Sequence, residues 1–212
     1  MLLVVAMNKA ATFFGLLTAV AGAAVATLLL SKSIADRSRA QTALDNRAFV
    51  IVARHADAPG RGEPDGFDLN DCRTQRNLND TGREEARHLG ALLRNSGIHI
   101  TKVLTSRWCR ARETAELMTM GPVETAPAFD NLEFNKQRAN ELLDNERKLI
   151  ASWHGPGVLL VVSHASNIKA LTGIESDHGG LFVVSQNQDR LLATPFNVSS
   201  ATASRSARHS SF

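Results

Sequence analysis

Phe49-Val50-Ile51-Val52-Ala53-Arg54-His55 decides how this 212-residue chain is read. Five apolar residues, three of them β-branched, run without polar alternation and stop at an arginine and a histidine. A strand of that kind is buried on both faces, as in a parallel sheet covered by helices. In open α/β sheets ligands bind beyond the carboxyl ends of the strands, the edge at which Arg54 and His55 sit. An Arg-His pair alone is usually a solvated loop dipeptide, so its weight depends on what else reaches that edge.

Two further strands reach it. Residues 100–104 form an apolar run followed by Thr105-Ser106-Arg107, with Arg110 one helical turn on. Val158-Leu159-Leu160-Val161-Val162 is the strongest strand in the chain, and Ser163-His164 follows it. Between the strands, the periodicity predicts helices from Asn79 to about Asn95, from Trp108 to Met120, and over 136–153, with a short one over 165–172. Asn79 or Thr81 caps the first, where Thr81-x-x-Glu84 fits a capping box. Residues 123–126 read as a short strand, and 181–185 with 190–193 as a final strand pair. Residues 58–77, rich in Gly, Pro and charge, form a long loop off the carboxyl end of the first strand. The alternation implies an α/β fold, a three-layer α/β/α sandwich on a mostly parallel central sheet. The domain is expected over 48–193, with a disordered Ser-, Ala- and Arg-rich tail over 194–212.

The amino-terminal end is of another kind. Residues 10–30 carry no charge over about the ~20 residues needed to cross a bilayer. Residues 1–35 are therefore expected to be a signal peptide or an uncleaved membrane anchor, and 36–47 a linker. Lys9 precedes the apolar run and Lys32, Arg37 and Arg39 follow it, which on the positive-inside rule alone would keep the domain in the cytoplasm. Export is the expectation adopted, with the domain periplasmic or otherwise extracytoplasmic and 10–30 anchoring it to the inner membrane. A net charge of +3 suits an anionic substrate, but the basic residues are scattered, and with no Tyr and two Trp no nucleic-acid surface is expected. Cys72 and Cys109 fit no metal spacing; they are two buried thiols or, in an exported domain, one disulfide. No metal or other cofactor is expected.

If the three strands are parallel, Arg54, His55, Ser106, Arg107, Arg110, Ser163 and His164 meet in one crevice. Arginine forks match phosphate oxygens. An imidazole can attack phosphorus, a second can donate to the charge that builds, and an acid must protonate the leaving alkoxide. The chain resembles the histidine phosphatase superfamily, the phosphoglycerate-mutase-like proteins, over about residues 49–190. Arg54-His55-Ala56 is similar to its Arg-His-Gly signature, with Ala56 for the glycine. The segment from Ser106 to Ala115 is similar to Ser-Pro-Leu-x-Arg-Ala-x-x-Thr-Ala, with Arg107-Trp108 for Pro-Leu. Leu78 to Ala86 and Val162-Ser163-His164 match two more of its segments. His164-Ala165-Ser166-Asn167-Ile168 with Leu171-Thr172-Gly173 resembles an exported, membrane-anchored subgroup.

The resemblance implies a metal-independent phosphomonoesterase. His55 would be the nucleophile that becomes phosphohistidine. Arg54, Arg110, His164 and the backbone of Ala165 would bind phosphate, and Glu133 would be the proton donor, with Asp130 and Asp57 as rivals. Arg107 is expected to face solvent rather than to add positive charge at the pocket mouth, and Asn167 either to serve the helix alone or to reach the site. In that subgroup Cys72 and Cys109 lie on loops near the active-site edge, and a disulfide between them is the expectation. His88, His99, His154, His178 and His209 are expected at the surface. A mutase-type phosphotransferase, or an inactive membrane-tethered module that binds a phosphorylated ligand, are the alternatives. The implied partner is a small phosphorylated substrate, such as a cell-envelope sugar phosphate.

Overall fold

The computed structural model describes residues 49–187 and 190–196. The chain divides into two units, Met1–Asn46 and Arg47–Phe212. The first unit, and with it the charge-free run over 10–30, lies outside the described residues, as do His209 and the tail from residue 197.

The elements in order are β1 (Phe49–Arg54), α1 (Asp80–Asn95), β2 (Ile100–Thr105), α2 (Cys109–Met118), β3 (Val123–Thr125), α3 (Ala139–Ala151), β4 (Val158–Ser163), α4 (Ala165–Thr172), β5 (Leu181–Asn187) and β6 (Arg190–Pro195). Six strands form one sheet in the order β3-β2-β4-β1-β5-β6. The first four are parallel, and β5 and β6 extend the sheet as an antiparallel hairpin. Alternate strand residues face two separate cores. Ile51, Ala53, Val103, Leu160 and Val162 pack with Leu89 and Leu93 of α1 and Ala111, Ala115 and Met118 of α2. Val50, Val52, Leu104, Leu159 and Val161 pack with Ile150 of α3 and Ile168 and Leu171 of α4. That is the three-layer α/β/α arrangement. All six residues of β4 are buried, and each buried Val or Leu contributes about 1.5–3 kcal/mol.

Register aligns the strand ends. Arg54 stands opposite Ser163, and Thr105 opposite Val162. The ladder continues one step past each strand: the His55 amide donates to the Ser163 carbonyl (3.0 Å) and the Ser106 amide to that of Val162 (3.1 Å). The first residue of each functional loop is therefore held as firmly as a strand residue.

Local chemistry sets the helix ends. Asn79 caps α1, its Oδ1 accepting the Gly82 amide at 2.7 Å. Glycine is required at two points of α1, because a Cβ would stand 2.0 Å from the Asp57 carbonyl oxygen at Gly82 and 2.1 Å from that of Met118 at Gly90. The helix expected to reach Met120 stops at Met118, where Arg94 reaches across from α1. Its Nη1 donates to the Met118 carbonyl (2.6 Å) and to Thr119 Oγ1 (2.7 Å), and Thr119 takes a left-handed conformation. The helix expected over 136–153 begins with a separate 3-10 turn, Lys136–Arg138, and ends at Ala151. The sheet also runs past the expected start of the tail. Pro195 of β6 pairs with Phe182, and the Phe196 amide donates to Leu181; Pro195 is tolerated because β6 is an edge strand.

Candidate functional site

His55 is 2% exposed at the end of β1. Its Nδ1 lies 2.8 Å from the Ala56 carbonyl. A carbonyl only accepts, so Nδ1 carries the hydrogen and Nε2 keeps a lone pair. Arg110 Nε points at that lone pair from 3.2 Å. Burial, then the Arg110 charge, push His55 well below the usual histidine range, so the imidazole is neutral near pH 7. The His164 ring stands edge-on to it, centroids 5.4 Å apart. Burial and then Arg110 lower His164 in the same way. His164 Nε2 is 2.8 Å from Ser106 Oγ, and its Nδ1 is buried without a partner.

Arg110 is wholly buried on the first turn of α2. Burial lowers it to about 10, which leaves it charged at neutral pH. Arg54 donates from Nη1 to the Ser176 carbonyl, and burial lowers its pKa too. Arg54 Nε and Arg110 Nη2 are both buried and unpartnered. Among the described residues, three of the five such side-chain atoms belong to Arg54, Arg110 and His164. Ala165 opens α4 directly after His164, so its amide lies at the positive end of the helix dipole. The structure thus brings Arg54, His55, Arg110, His164 and Ala165 to one edge.

The three candidate carboxylates differ in their surroundings. Glu133 is exposed, and its amide donates to Asn131 Oδ1. Asp130 is 1% exposed and takes the amide (3.0 Å) and the Nε (2.8 Å) of Arg107. Arg107 therefore does not simply face solvent: it is half-exposed but neutralises a buried acid. Asp57 pairs with His178 Nδ1 at 3.1 Å and with Asn79 Nδ2 at 2.9 Å. His178 was expected at the surface with the other spare histidines. Instead its ring lies 5.9 Å from that of His55, because the Gly179 amide donates to the His55 carbonyl and folds that loop onto β1. Asn167 is buried, donates to the Asp130 carbonyl (3.0 Å) and to Glu146 (3.2 Å), and accepts the Leu132 amide. It holds the loop over 130–135 rather than α4 alone. Burial raises Glu146 to about 8, so this acid is neutral at pH 7.

Residues of the 58–77 loop complete the edge. Glu63 puts a 1% exposed carboxylate on Arg110 Nη1. Its Oε1 also accepts Trp108 Nε1 (3.2 Å), and its Oε2 the Arg76 amide (2.9 Å). Arg76 closes the loop on itself through the Gly62 and Ala58 carbonyls. Cys72 and Cys109 are disulfide-bonded, with an S–S distance of 2.03 Å, which ties the loop to the residue before Arg110. Glu63 is one of four acidic residues between 58 and 77, and nothing in the sequence singles it out. Phe67, Phe134 and Trp108 form an aromatic cluster beside His164, at 5.6 Å for Phe67–Phe134 and for Trp108–His164.

Among the described residues no group of three or more His, Cys, Asp or Glu is placed to hold a metal, and no helix is long and apolar enough to cross a membrane. No curated protein sequence matches the chain. Solved structures do. The α-ribazole phosphatase of Shigella flexneri matches with a TM-score of 0.54 at 17% identity, over 70% of this chain and 96% of its own. A putative α-ribazole-5'-P phosphatase of Escherichia coli matches at 0.53 and 18%, over 72% and 97%. A mycobacterial glucosyl-3-phosphoglycerate phosphatase matches at 0.51 and 14%, over 70% and 98%. Identities this low establish the fold alone. A sequence profile for the histidine phosphatase superfamily (branch 1) matches residues 50–155, half of the chain, and the chain belongs to that superfamily.

Proposed function

We propose that the chain is a phosphomonoesterase working through a phosphohistidine on His55. One observation carries this reading. The neutral imidazole of His55, whose Nε2 takes the Nε of Arg110, shares its edge of the sheet with residues that carry three buried, unpartnered atoms: Arg54 Nε, Arg110 Nη2 and His164 Nδ1. Buried polar groups are ordinarily satisfied, and two unpartnered guanidinium donors on the edge that carries His55 suit an anion. In the reaction His55 Nε2 bonds to phosphorus and the ester P–O bond breaks. Arg54 and Arg110 balance the charge on the phosphoryl oxygens. Water then attacks the phosphohistidine, the P–N bond breaks, and phosphate leaves. Membership of the superfamily and the likeness to phosphatases of known structure support a phosphatase with a small phosphorylated substrate. The aromatic cluster beside His164 suits a leaving alcohol with an apolar face, such as a sugar ring.

Export belongs to the same proposal. Disulfides persist in oxidising compartments, and the Cys72–Cys109 bond accords with an amino-terminal run over 10–30 that directs or anchors the domain outside the cytoplasm. Fractionation of cells carrying the full chain tests this, and a purely cytoplasmic protein with free thiols overturns it.

His55→Ala tests the chemistry. Phosphate release from p-nitrophenyl phosphate should fall by about 10³-fold or more, and the acid-labile phosphoenzyme trapped with wild type should be absent. Undiminished release by the variant overturns the mechanism.

A further inference from the structure

The Cys72–Cys109 bond joins the loop over 58–77 to the first turn of α2, and a cavity opens beside it. Cys72 lies in a 3-10 turn of that loop, Cys72–Thr74, and Cys109 is the first residue of α2. Both line a cavity of about 390 Å³, a size that small-molecule sites commonly have. None of Arg54, His55, Arg110 and His164 lines it, so it is separate from the phosphate-binding edge. On its wall Arg83 and Glu113 neutralise one another at 2.6 Å. The other charges there are Arg112 and Glu116. Arg112 Nη2 donates to Cys72 Sγ from 3.6 Å. Asn77, also on the wall, gives its Nδ2 to the Cys72 and Gln75 carbonyls and keeps a buried Oδ1 without a partner.

We propose that this cavity takes a small zwitterionic thiol, cysteine or a cysteinyl peptide, which opens the disulfide and thereby loosens the phosphate pocket. Only the effect on phosphate rests on the phosphohistidine reading above. Arg112 suits the carboxylate of such a molecule, and Glu116 and the Asn77 Oδ1 suit its ammonium group.

The exchange is an ordinary thiolate attack on a disulfide sulfur. Cys109 is 5% exposed and Cys72 is half-buried, so Cys72 Sγ is the sulfur attacked. Its bond to the incoming sulfur forms as its bond to Cys109 breaks. Cys109 leaves as a thiolate at the amino-terminal end of α2, where the helix dipole favours negative charge, and takes a proton from water. Arg112 stands beside the sulfur over which the charge passes. A second thiol then attacks the mixed disulfide and frees Cys72. Two small thiols are oxidised to one disulfide, and the protein's disulfide is reduced to two thiols.

The bond reaches the phosphate edge through its neighbour in sequence. Arg110 follows Cys109, gives Nε to His55 and Nη1 to Glu63, and Glu63 belongs to the loop that carries Cys72. Gln75 of the same loop accepts the Cys109 amide at 3.0 Å. While the covalent tie stands, the loop and the Arg110 fork are held as one body. Once it opens, only these non-covalent bonds remain, the guanidinium is less pre-organised, and phosphate binds more weakly. Where thiols are scarce the bond closes and the pocket is complete, which accords with a domain placed outside the cytoplasm.

The test uses the oxidised full chain. Disulfide opening by glutathione and by 2-mercaptoethanol, at equal thiolate concentration, is followed by mass spectrometry. The rate should rise in proportion to thiol, with glutathione about tenfold faster, and R112Q should narrow that preference to within about twofold. A rate that levels off at the rate of global unfolding, equal rates for the two thiols, or a preference unchanged in R112Q overturns the site. Inorganic phosphate is then titrated calorimetrically into oxidised wild type, reduced wild type and C72S, with folding checked by thermal unfolding. Reduction should raise the Kd about tenfold, and C72S should match the reduced protein with or without reductant. Unchanged affinity in a folded reduced protein overturns the latch. So does a reduced protein that unfolds outright, because the bond is then a staple. Failure of the phosphohistidine reading looks different: oxidised wild type then traps no phosphate on His55 with any ester, whichever way the thiol rates fall.

Discussion

Two loops leave the carboxyl edge of the parallel sheet and close over the same pair of histidines, but they are held in opposite ways. The loop over 58–77, after β1, is pinned through the pocket itself: Glu63 rests on Arg110, a buried group that also touches His55. The loop over 126–135, after β3, is pinned from behind. Asp130 takes the Arg107 fork, and Asn167 ties the Asp130 carbonyl and the Leu132 amide to Glu146. None of those contacts touches His55 or His164. The first loop's conformation is therefore coupled to the charge in the site, and the second's to the packing of α3 and α4.

The difference can be broken most forcefully at the two arginines. Arg110→Ala removes an anion contact and leaves Glu63 buried without its counter-charge. Activity should fall by about 10³-fold, and stability by about 3–5 kcal/mol. Arg107→Ala orphans Asp130, but at a half-exposed side chain that water can replace, so a loss of about 1–3 kcal/mol with KM nearly unchanged is expected. Chemical unfolding together with steady-state kinetics checks both. Equal kinetic damage from the two would show that the loops are not held differently.

The disulfide comes next. Cys72 and Cys109 are 37 residues apart, and the loop-closure argument gives about 4 kcal/mol for the bond. Cys72→Ser should lower the unfolding free energy by up to that amount. Hydrogen exchange should quicken in 58–77 and stay unchanged in 126–135; uniform quickening breaks the distinction.

The second loop should respond to pH. Glu146 is raised to about 8 against an ordinary value of 4.5. The folded state then binds the extra proton, so Glu146's contribution to stability is complete below about pH 4.5 and is lost as pH rises toward 8, with a slope of at most ~1.4 kcal/mol per pH unit. Urea unfolding of wild type and Glu146→Gln across pH 5 to 8 reads this. If the glutamine variant keeps the slope, Glu146 is not its source. The smallest effect is expected where the loops touch. A double-mutant cycle on Phe67 and Phe134, whose rings are 5.6 Å apart, should give a coupling of about 0.5–1.5 kcal/mol.

The parallel sheet and its functional edge were legible because each depended on a contiguous signal. An unbroken apolar run names a doubly buried strand, and the residue that ends it is at the edge by construction. His55, Arg110 and His164 followed from that rule and from a resemblance with four ordered segments. Glu63 and His178 did not. Each sits on a loop whose path is set by distant partners: the Arg76 bonds and a disulfide for one, the Gly179 amide on the His55 carbonyl for the other. The sequence points Arg107 at solvent because its partner, Asp130, lies 23 residues on in another loop. The Ser-, Ala- and Arg-rich composition after residue 193 points to a tail, yet β6 runs on to Pro195, which an edge strand can hold and a central strand cannot.

The place of β4 has a consequence for how the chain comes into being. It lies between β1 and β2, so the strands bearing His55 and leading to Arg110 do not pair with each other at all. They are brought side by side only when residues 158–163, synthesised more than fifty positions after β2, insert between them. A nascent chain that has emerged only as far as α3 holds His55, Arg54, Arg110 and Glu63, yet lacks β4 and His164. Long-range insertion of this kind raises contact order and slows folding. Assembly of the reactive centre thereby becomes one of the last events of synthesis, and a prematurely ended polypeptide is silent rather than partly active.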